Sequence, residues 1–193
     1  LFIKKIKFKM KNETDLLEFL NKHGLRYLSK FETTEYQFKS FLNKKIEIFD
    51  PNLETSKKNE FIDLITNKMK KLNYINDLRY SEIKGEKIFI SGGSKKLLKF
   101  KLDEKGVGDE IIEKIINKFF SKKLDEIQSA LIYTKKKKIG LFYEKQIDKD
   151  DLINLKNRWF GTLARRGFSY DTTKKVFEID NLSEAENIIN RRV

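Results

Sequence analysis

The sequence predicts an all-α protein of three tandem three-helix repeats. Apolar residues recur at helical spacing along most of the chain, and proline occurs once. The pattern L-x3-L-x2-[KR]-G occurs at residues 98–106 and again at 159–167 with tryptophan first. It occurs a third time at 38–45, with phenylalanine first and without the glycine. The second apolar positions lie 60 and 61 residues apart. A fixed period of this length is typical of stacked helical units, which offer a long surface to a large partner.

The composition limits the class of protein. The 193 residues include no cysteine, which excludes disulfides and thiolate metal sites and suits a reducing cytoplasm. No apolar run approaches the roughly 18 residues that span a bilayer. In residues 1–12 lysines interrupt the apolar positions, so we expect a mobile basic arm or a short strand and no secretory signal. The expected location is the cytoplasm.

The formal charge is +13, and basic residues outnumber acidic ones in every quarter of the chain. A charge excess spread in this way suits a protein that lies along a polyanion. AT-rich coding, which enriches lysine, asparagine, isoleucine and phenylalanine, is the alternative explanation. Only seven basic residues are arginines, and four of them form the pairs Arg165–Arg166 and Arg191–Arg192. The planar arginine fork pairs bidentately with carboxylate or phosphate.

The first repeat is predicted at residues 13–73 and opens with a long amphipathic helix. Thr34 and Gln37 have the spacing of a capping box, which predicts the start of a second helix. The segment around Pro51 has a loop composition, and the spacing of apolar residues predicts a third helix at 59–72.

The second repeat is predicted at residues 74–120. Asn76 can cap its first helix, and two glycines then break the chain before Ser94, which can cap the second helix. Gly106 follows the last turn of that helix, where a residue in the left-handed conformation is wanted. Gly108 precedes the third helix, which carries an isoleucine stripe.

The third repeat and a C-terminal helix are predicted at residues 121–193. The first helix ends at the lysines 135–138, where cations suit the negative end of the helix dipole. Asp148 can cap the helix that contains Trp159, whose indole we expect in the core. Gly167 ends that helix. Further caps are predicted at Ser169 and Ser183.

The chain is poorly supplied for catalysis. His23 is the single histidine, and there is no cysteine. The chain therefore has no Cys–His pair and only one histidine that could serve a Ser–His arrangement. The carboxylate pairs at 103–104 and 150–151 lie near predicted helix ends and suit capping. The Gly-Gly-Ser-Lys run at 92–95 lacks the spacing of a phosphate-binding loop. We therefore predict no enzyme activity, no cofactor and no metal.

Basic clusters are better candidates for function. Arg158, Thr162 and Arg165 fall at i, i+4 and i+7 and so share one face of the predicted helix. The alternative is that each cluster is simply a solvated face of a lysine-rich protein. The candidate residues for binding a large anionic partner are Lys95, Lys96, Lys99, Lys135, Lys136, Lys137, Lys138, Arg158, Arg165 and Arg166.

Several stretches resemble a known family. The run LNYINDLRY at 72–80, the Gly-Ser at 93–94 and the motif at 98–107 closely resemble the second repeat of the bacterial RecX family. The run LARRGFSYD at 163–171 resembles the C-terminal repeat of that family, and residues 27–42 are similar to its first repeat.

The resemblance covers about residues 13–180 and implies a non-enzymatic modulator of the RecA recombinase, with roles in DNA repair, recombination and the SOS response. RecX-like proteins are built of tandem three-helix repeats in an elongated, curved array. They lie in the helical groove of the RecA–DNA filament and lower its ATPase, strand-exchange and coprotease activities. The implied partners of a monomeric chain are the RecA filament and, weakly and with salt dependence, phosphates of single- and double-stranded DNA. Repeat one departs from the family pattern at Lys45-Ile46, where the other repeats have a basic residue and glycine.

Two other functions fit the same residues. A helix-turn-helix protein could bind DNA independently of RecA, although the short helices lack an evident cluster of asparagine, glutamine and arginine for base-edge recognition. A purely structural helical adaptor, with its charge set by coding bias, would have no affinity for DNA.

Overall fold

The structure, a computed structural model, describes residues 13–146 and 148–191, with the backbone alone at 149 and 150. The basic arm predicted at residues 1–12 lies outside these ranges. All regular secondary structure within them is helical, which confirms the all-α prediction. None of these helices is both long enough and apolar enough to cross a bilayer. The helices are α1 (Glu13–Leu28), α2 (Glu35–Phe49), α3 (Thr55–Lys71), α4 (Asp77–Ile90), α5 (Lys95–Asp103), α6 (Asp109–Phe119), α7 (Lys123–Lys137), α8 (Lys149–Arg165), α9 (Tyr170–Glu178) and α10 (Leu182–Ile189).

The described residues form two compact units that divide after Asp77. The first unit holds α1 to α3 around one hydrophobic cluster. Its fully buried side chains are Leu20, Phe38, Leu42, Ile46, Ile65 and Met69. Ile75, in the predicted second repeat, also packs into this cluster. The division into three repeats remains a prediction.

Polar contacts fix the start of α2 in the first unit. The Thr34 hydroxyl accepts a hydrogen bond from the Gln37 N–H at 3.2 Å, as the capping-box spacing predicts. The Glu35 N–H donates to the Asp77 carboxylate at 2.8 Å, and burial raises the pKa of Asp77. The Glu35 carboxylate in turn accepts a hydrogen bond from Lys70, which lowers the pKa of Glu35.

The second unit contains two hydrophobic clusters. One lies among α4, α5 and α6, where the apolar stripe of α6 packs against the two motif leucines of α5. Its fully buried residues are Leu98, Leu102, Ile112, Ile115 and Ile116.

The other cluster lies among α7 to α10 and includes Ala130, Leu131, Leu163 and Val176. Trp159 is buried beside it, with its ring centroid 6.0 Å from that of Phe177, so the expected core position of the indole is confirmed.

Two predicted helix starts are wrong. Helix α3 begins at Thr55, four residues before the predicted start, because its first turn is exposed and polar and adds nothing to an apolar stripe. Helix α10 is capped by Asn181, whose side-chain oxygen accepts hydrogen bonds from the N–H groups of Ser183 and Glu184. The predicted cap, Ser183, is instead inside that helix.

Candidate binding surface

Ser94 joins the two clusters of the second unit. Its hydroxyl accepts a hydrogen bond from the Leu97 N–H at 3.0 Å, as expected of the cap of α5, and donates to the Arg166 carbonyl at 2.8 Å. Gly167, the next residue, has a positive φ of 91°. A Cβ at Gly167 would lie 2.6 Å from the Ser94 hydroxyl oxygen, so only glycine fits this contact without movement.

The two glycines before Ser94 lie against α7. A Cβ at Gly92 would be 2.6 Å from the backbone nitrogen of Tyr133. The Ser129 hydroxyl, on the same helix, donates to the Gly93 carbonyl at 2.8 Å. The glycines contact α7, and Ser94 next to them bonds to Arg166 at the end of α8. These contacts place α7 beside the end of α8.

Tyr133 organises the basic residues at this point. The Arg166 guanidinium carbon lies 5.0 Å from the centroid of the Tyr133 ring, and the Lys137 Nζ lies 5.9 Å from it. The Arg166 Nε also donates a hydrogen bond to the Gly92 carbonyl at 3.3 Å. Cations held over an aromatic face gain electrostatic stabilisation. Arg166 is therefore half-buried, with contacts to Tyr133 of α7, to Gly92 between α4 and α5, and to Ser94 at the start of α5.

A cleft of about 490 Å³ opens between α7 and α8, and we call it the basic cleft. Three of its lining residues are cationic and two carry hydroxyls, and no lining residue is acidic. The residues that line the basic cleft are Tyr133, Lys137, Ile139, Thr162, Arg165 and Arg166.

Arg165 and Arg158 lie on one side of α8. Arg165 Nη2 donates to the Thr162 hydroxyl at 3.3 Å, and that hydroxyl donates to the Arg158 carbonyl at 2.8 Å. Arg158 nevertheless belongs to a different cleft, which Asp148 and Asp151 also line. The structure therefore brings Arg165, Arg166 and Lys137 together and places Arg158 near carboxylates.

Three of the predicted lysines pair with carboxylates on the surface. Exposed pairs of this kind contribute about 0–1 kcal/mol to folding, and each offsets one positive charge. The pairs are Lys99–Glu113 at 3.5 Å, Lys135–Glu186 at 2.6 Å and Lys138–Glu144 at 3.1 Å.

Lys95, Lys96 and Lys136 are exposed, and none has a carboxylate within 4 Å in the described part of the chain. Lys95 acts at longer range on Glu126. Burial raises the pKa of Glu126, and the positive charge of Lys95 opposes that rise. Lys96 lies beside Gly167, and so it extends the positive surface from the basic cleft toward α5.

An apolar groove of about 570 Å³ lies on the opposite side of α8, against α9. Ile153 and Tyr170 are 70% and 74% exposed there. The sequence prediction missed this groove and also Tyr133. The i, i+4 spacing of Tyr133 and Lys137 was the available signal for the tyrosine. The groove is lined by Ile153, Lys156, Asn157, Phe160, Gly161, Ala164, Phe168, Tyr170 and Thr173.

The buried carboxylate Asp125 is engaged in structural contacts. Asp125 is buried, and its two oxygens accept hydrogen bonds from Arg191 Nη2 at 2.5 Å and from the Lys122 N–H at 2.8 Å. Within the described ranges, no three histidine, aspartate or glutamate side chains are grouped to hold a metal ion. The basic cleft and the apolar groove together offer cations, hydroxyls and exposed apolar groups.

Known proteins match this chain over most of its length. No protein-family model matches it. It is 30% identical over 175 residues to the Regulatory protein RecX of Finegoldia magna, across 88% of this chain and 82% of that protein. The chain belongs to the RecX family. It is also 25% identical over 162 residues to the Regulatory protein RecX of Myxococcus xanthus, across 83% of this chain and 84% of that one.

A solved RecX structure has the same fold. The crystal structure of RecX from Lactobacillus salivarius matches with a TM-score of 0.64, covering 86% of this chain and 96% of that chain at 21% identity. The resemblance to the RecX family that the motifs at 72–107 and 163–171 indicated is confirmed.

Proposed function

We propose that this chain is a non-enzymatic regulator that binds the RecA–DNA filament and lowers the ATPase, strand-exchange and coprotease activities of RecA. Membership of a family of regulatory proteins supports a regulatory role. The proposed form is a monomer that acts in the cytoplasm, where RecA filaments assemble on DNA.

The observation that carries this proposal is the arrangement of α8. Residues Thr162 and Arg165 face the basic cleft, whereas Phe160 and Ala164 face the apolar groove. At 100° per residue these two sets project from opposite sides of the helix. A nucleoprotein filament offers both phosphates and protein surface, so it can satisfy both faces of one helix.

Inhibition follows from simultaneous contacts. In this proposal the chain spans neighbouring protomers of the filament and hinders their rearrangement. Several weak contacts made by one chain add through effective concentration, which gives useful affinity without any deep pocket.

The deciding experiment is a titration of the purified chain into RecA preassembled on single-stranded DNA, with ATP hydrolysis as the readout. We expect hydrolysis to fall to a plateau as the chain saturates the filament. Co-sedimentation of RecA with the DNA, measured in the same samples, should show RecA still bound at that plateau.

Two results would contradict the proposal. One is unchanged hydrolysis at saturating chain whose helical circular dichroism is intact. The other is loss of hydrolysis in strict proportion to RecA released from the DNA, because that would identify a simple competitor for DNA. A single preferred duplex sequence in a binding selection, without any effect on RecA, would support the helix-turn-helix alternative.

A further inference from the structure

We infer that the basic cleft, defined above by its six lining residues, binds the phosphodiester backbone of nucleic acid, with Lys137 and Arg165 as the contacting cations. This inference rests on the proposed function and assigns the DNA contact of the regulator to one place. The alternative ligand, an acidic protein surface, is an outcome of the test below.

The net charge of the basic cleft favours an anion. Helices α7 and α8 both end here, and each contributes about −0.5 charge at its C-terminus. The three cations that line the cleft exceed this by about two positive charges. No lining carboxylate reduces that excess. A helix-dipole role therefore explains only part of the cationic charge at this place.

The cations are also held in position before any ligand arrives. Thr162 accepts a hydrogen bond from Arg165, and the Gly92 carbonyl accepts one from Arg166. Within the described ranges, neither guanidinium has a carboxylate within 4 Å. A fixed, unpaired arginine fork matches the oxygens of a phosphate and loses little conformational entropy on binding.

The positive surface continues beyond the basic cleft in two directions. Lys136 precedes Lys137 on α7, and Lys96 lies next to Gly167 at the start of α5; both lysines are exposed. A polymer with one charge per nucleotide can use such a series, because successive phosphates meet successive cations. An acidic protein surface would have to supply carboxylates in the same order, so nucleic acid is the better match.

The recognition should be independent of base sequence. The Tyr133 ring has Arg166 and Lys137 over it, so it is not a free platform for stacking a base. The remaining lining groups are cations, one threonine hydroxyl and one aliphatic side chain. Such groups contact the backbone, which carries no sequence information.

The test measures binding of fluorescein-labelled oligonucleotides, single-stranded and duplex, to the full chain without RecA. The double variant Lys137→Gln/Arg165→Gln removes the two contacting cations. Arg166 is left intact because its contacts hold the second unit together. The matched control is Arg26→Gln/Lys71→Gln in the first unit, which removes one arginine and one lysine from exposed helix-end positions.

We expect the cleft variant to bind about tenfold more weakly at low salt, and the magnitude of its log–log salt slope to fall by about 1.4 on single strands. The control should bind within about twofold of the parent chain, because only general charge is lost. The variant Lys137→Arg/Arg165→Lys keeps both charges, so its salt slope should equal that of the parent.

Two results would overturn the inference. One is equal loss of affinity in the cleft variant and its control, with both variants folded by circular dichroism. The other is displacement of the oligonucleotide by poly-glutamate as effectively as by unlabelled DNA of the same charge, which would assign the cleft to acidic protein surfaces.

The two proposals can fail separately. If the cleft variant keeps its DNA affinity while the parent chain still lowers RecA hydrolysis, the inference is wrong and the proposed function stands. If DNA affinity depends on the cleft but RecA hydrolysis never changes, the proposed function is wrong and the cleft assignment stands.

Discussion

Helices α5 and α8 end with the same sequence motif and the same backbone geometry. In each, the N–H just beyond the motif glycine donates to the carbonyl of the second motif leucine, at 3.2 Å to Leu102 and 3.1 Å to Leu163. Gly106 and Gly167 both have positive φ, at 69° and 91°. These are the hydrogen bonds of a Schellman motif, so the motif encodes the same helix end twice.

The surroundings of the two ends differ. Gly106 is exposed, whereas Gly167 packs against Ser94, and the carbonyl before it accepts the Ser94 hydrogen bond. One end only stops a helix, and the other also joins α8 to the start of α5. The same local motif therefore ends both helices, and at α8 it also makes a tertiary contact.

The third copy of the motif shows what the glycine contributes. In α2 the position of the glycine is occupied by Ile46, which is fully buried, and the helix continues to Phe49. Without a residue that enters the left-handed region easily, the chain adds another turn before it stops.

The largest predicted effect tests the comparison directly. Gly167→Ala should lower the free energy of unfolding by about 3 kcal/mol. The alanine would adopt an unfavourable left-handed conformation, and its Cβ would also clash with the Ser94 hydroxyl. Gly106→Ala has the same backbone cost at an exposed position, so it should cost about 1 kcal/mol. Urea denaturation followed by circular dichroism measures both. Equal losses would mean that the contact with Ser94 adds nothing.

An intermediate effect is expected at Ser94. Ser94→Ala removes the cap of α5 and leaves the Arg166 carbonyl without its donor, so we expect a loss of about 2 kcal/mol in the free energy of unfolding. Asn181→Ala removes an exposed cap from α10 and should cost about 1 kcal/mol. The same denaturation measurement applies. A loss at Ser94 no greater than at Asn181 would show that the bond to Arg166 is not stabilising.

The smallest effect is a gain in stability. Lys138 caps α7 with a φ of 52°, a left-handed conformation that is unfavourable for a side chain with a Cβ. Lys138→Gly should therefore raise the free energy of unfolding by about 0.7 kcal/mol after loss of the exposed pair with Glu144. Asn73 has a φ of 56°, but asparagine tolerates this region, so Asn73→Gly should gain less. A larger gain at Asn73 would contradict the strain assigned to Lys138.

The sequence predicted the helix ends that are marked by a residue with one strong preference, either for capping a helix or for the left-handed backbone conformation. The caps Thr34, Ser94 and Ser169 and the glycines at 106 and 167 occur as predicted. Prediction failed at helix ends where no residue has such a preference. Nothing in the sequence distinguishes Lys138 from its three lysine neighbours as the left-handed residue, because the end of α7 is set by packing around it.

The candidate site was predictable only as a list of cations. The list did not distinguish Lys135, which pairs with Glu186, from Lys137, which lines the basic cleft. It also gave no sign that Arg166 lies over Tyr133, because these residues are far apart in the chain. Which helices pack together decides whether a surface cation pairs with a carboxylate, lies over an aromatic ring or lines the basic cleft.

The all-α class, the caps of α2, α5 and α9, two glycine helix ends and the RecX family follow from the sequence alone, because each depends on contacts within a few residues or on a run of motifs. Only the tertiary structure decided which cations converge on the basic cleft and which are held by carboxylates. The tertiary structure also leaves an apolar side of α8 exposed in a groove against α9. Long-range electrostatic and packing contacts depend on distances in space, and spacing along the chain does not fix them.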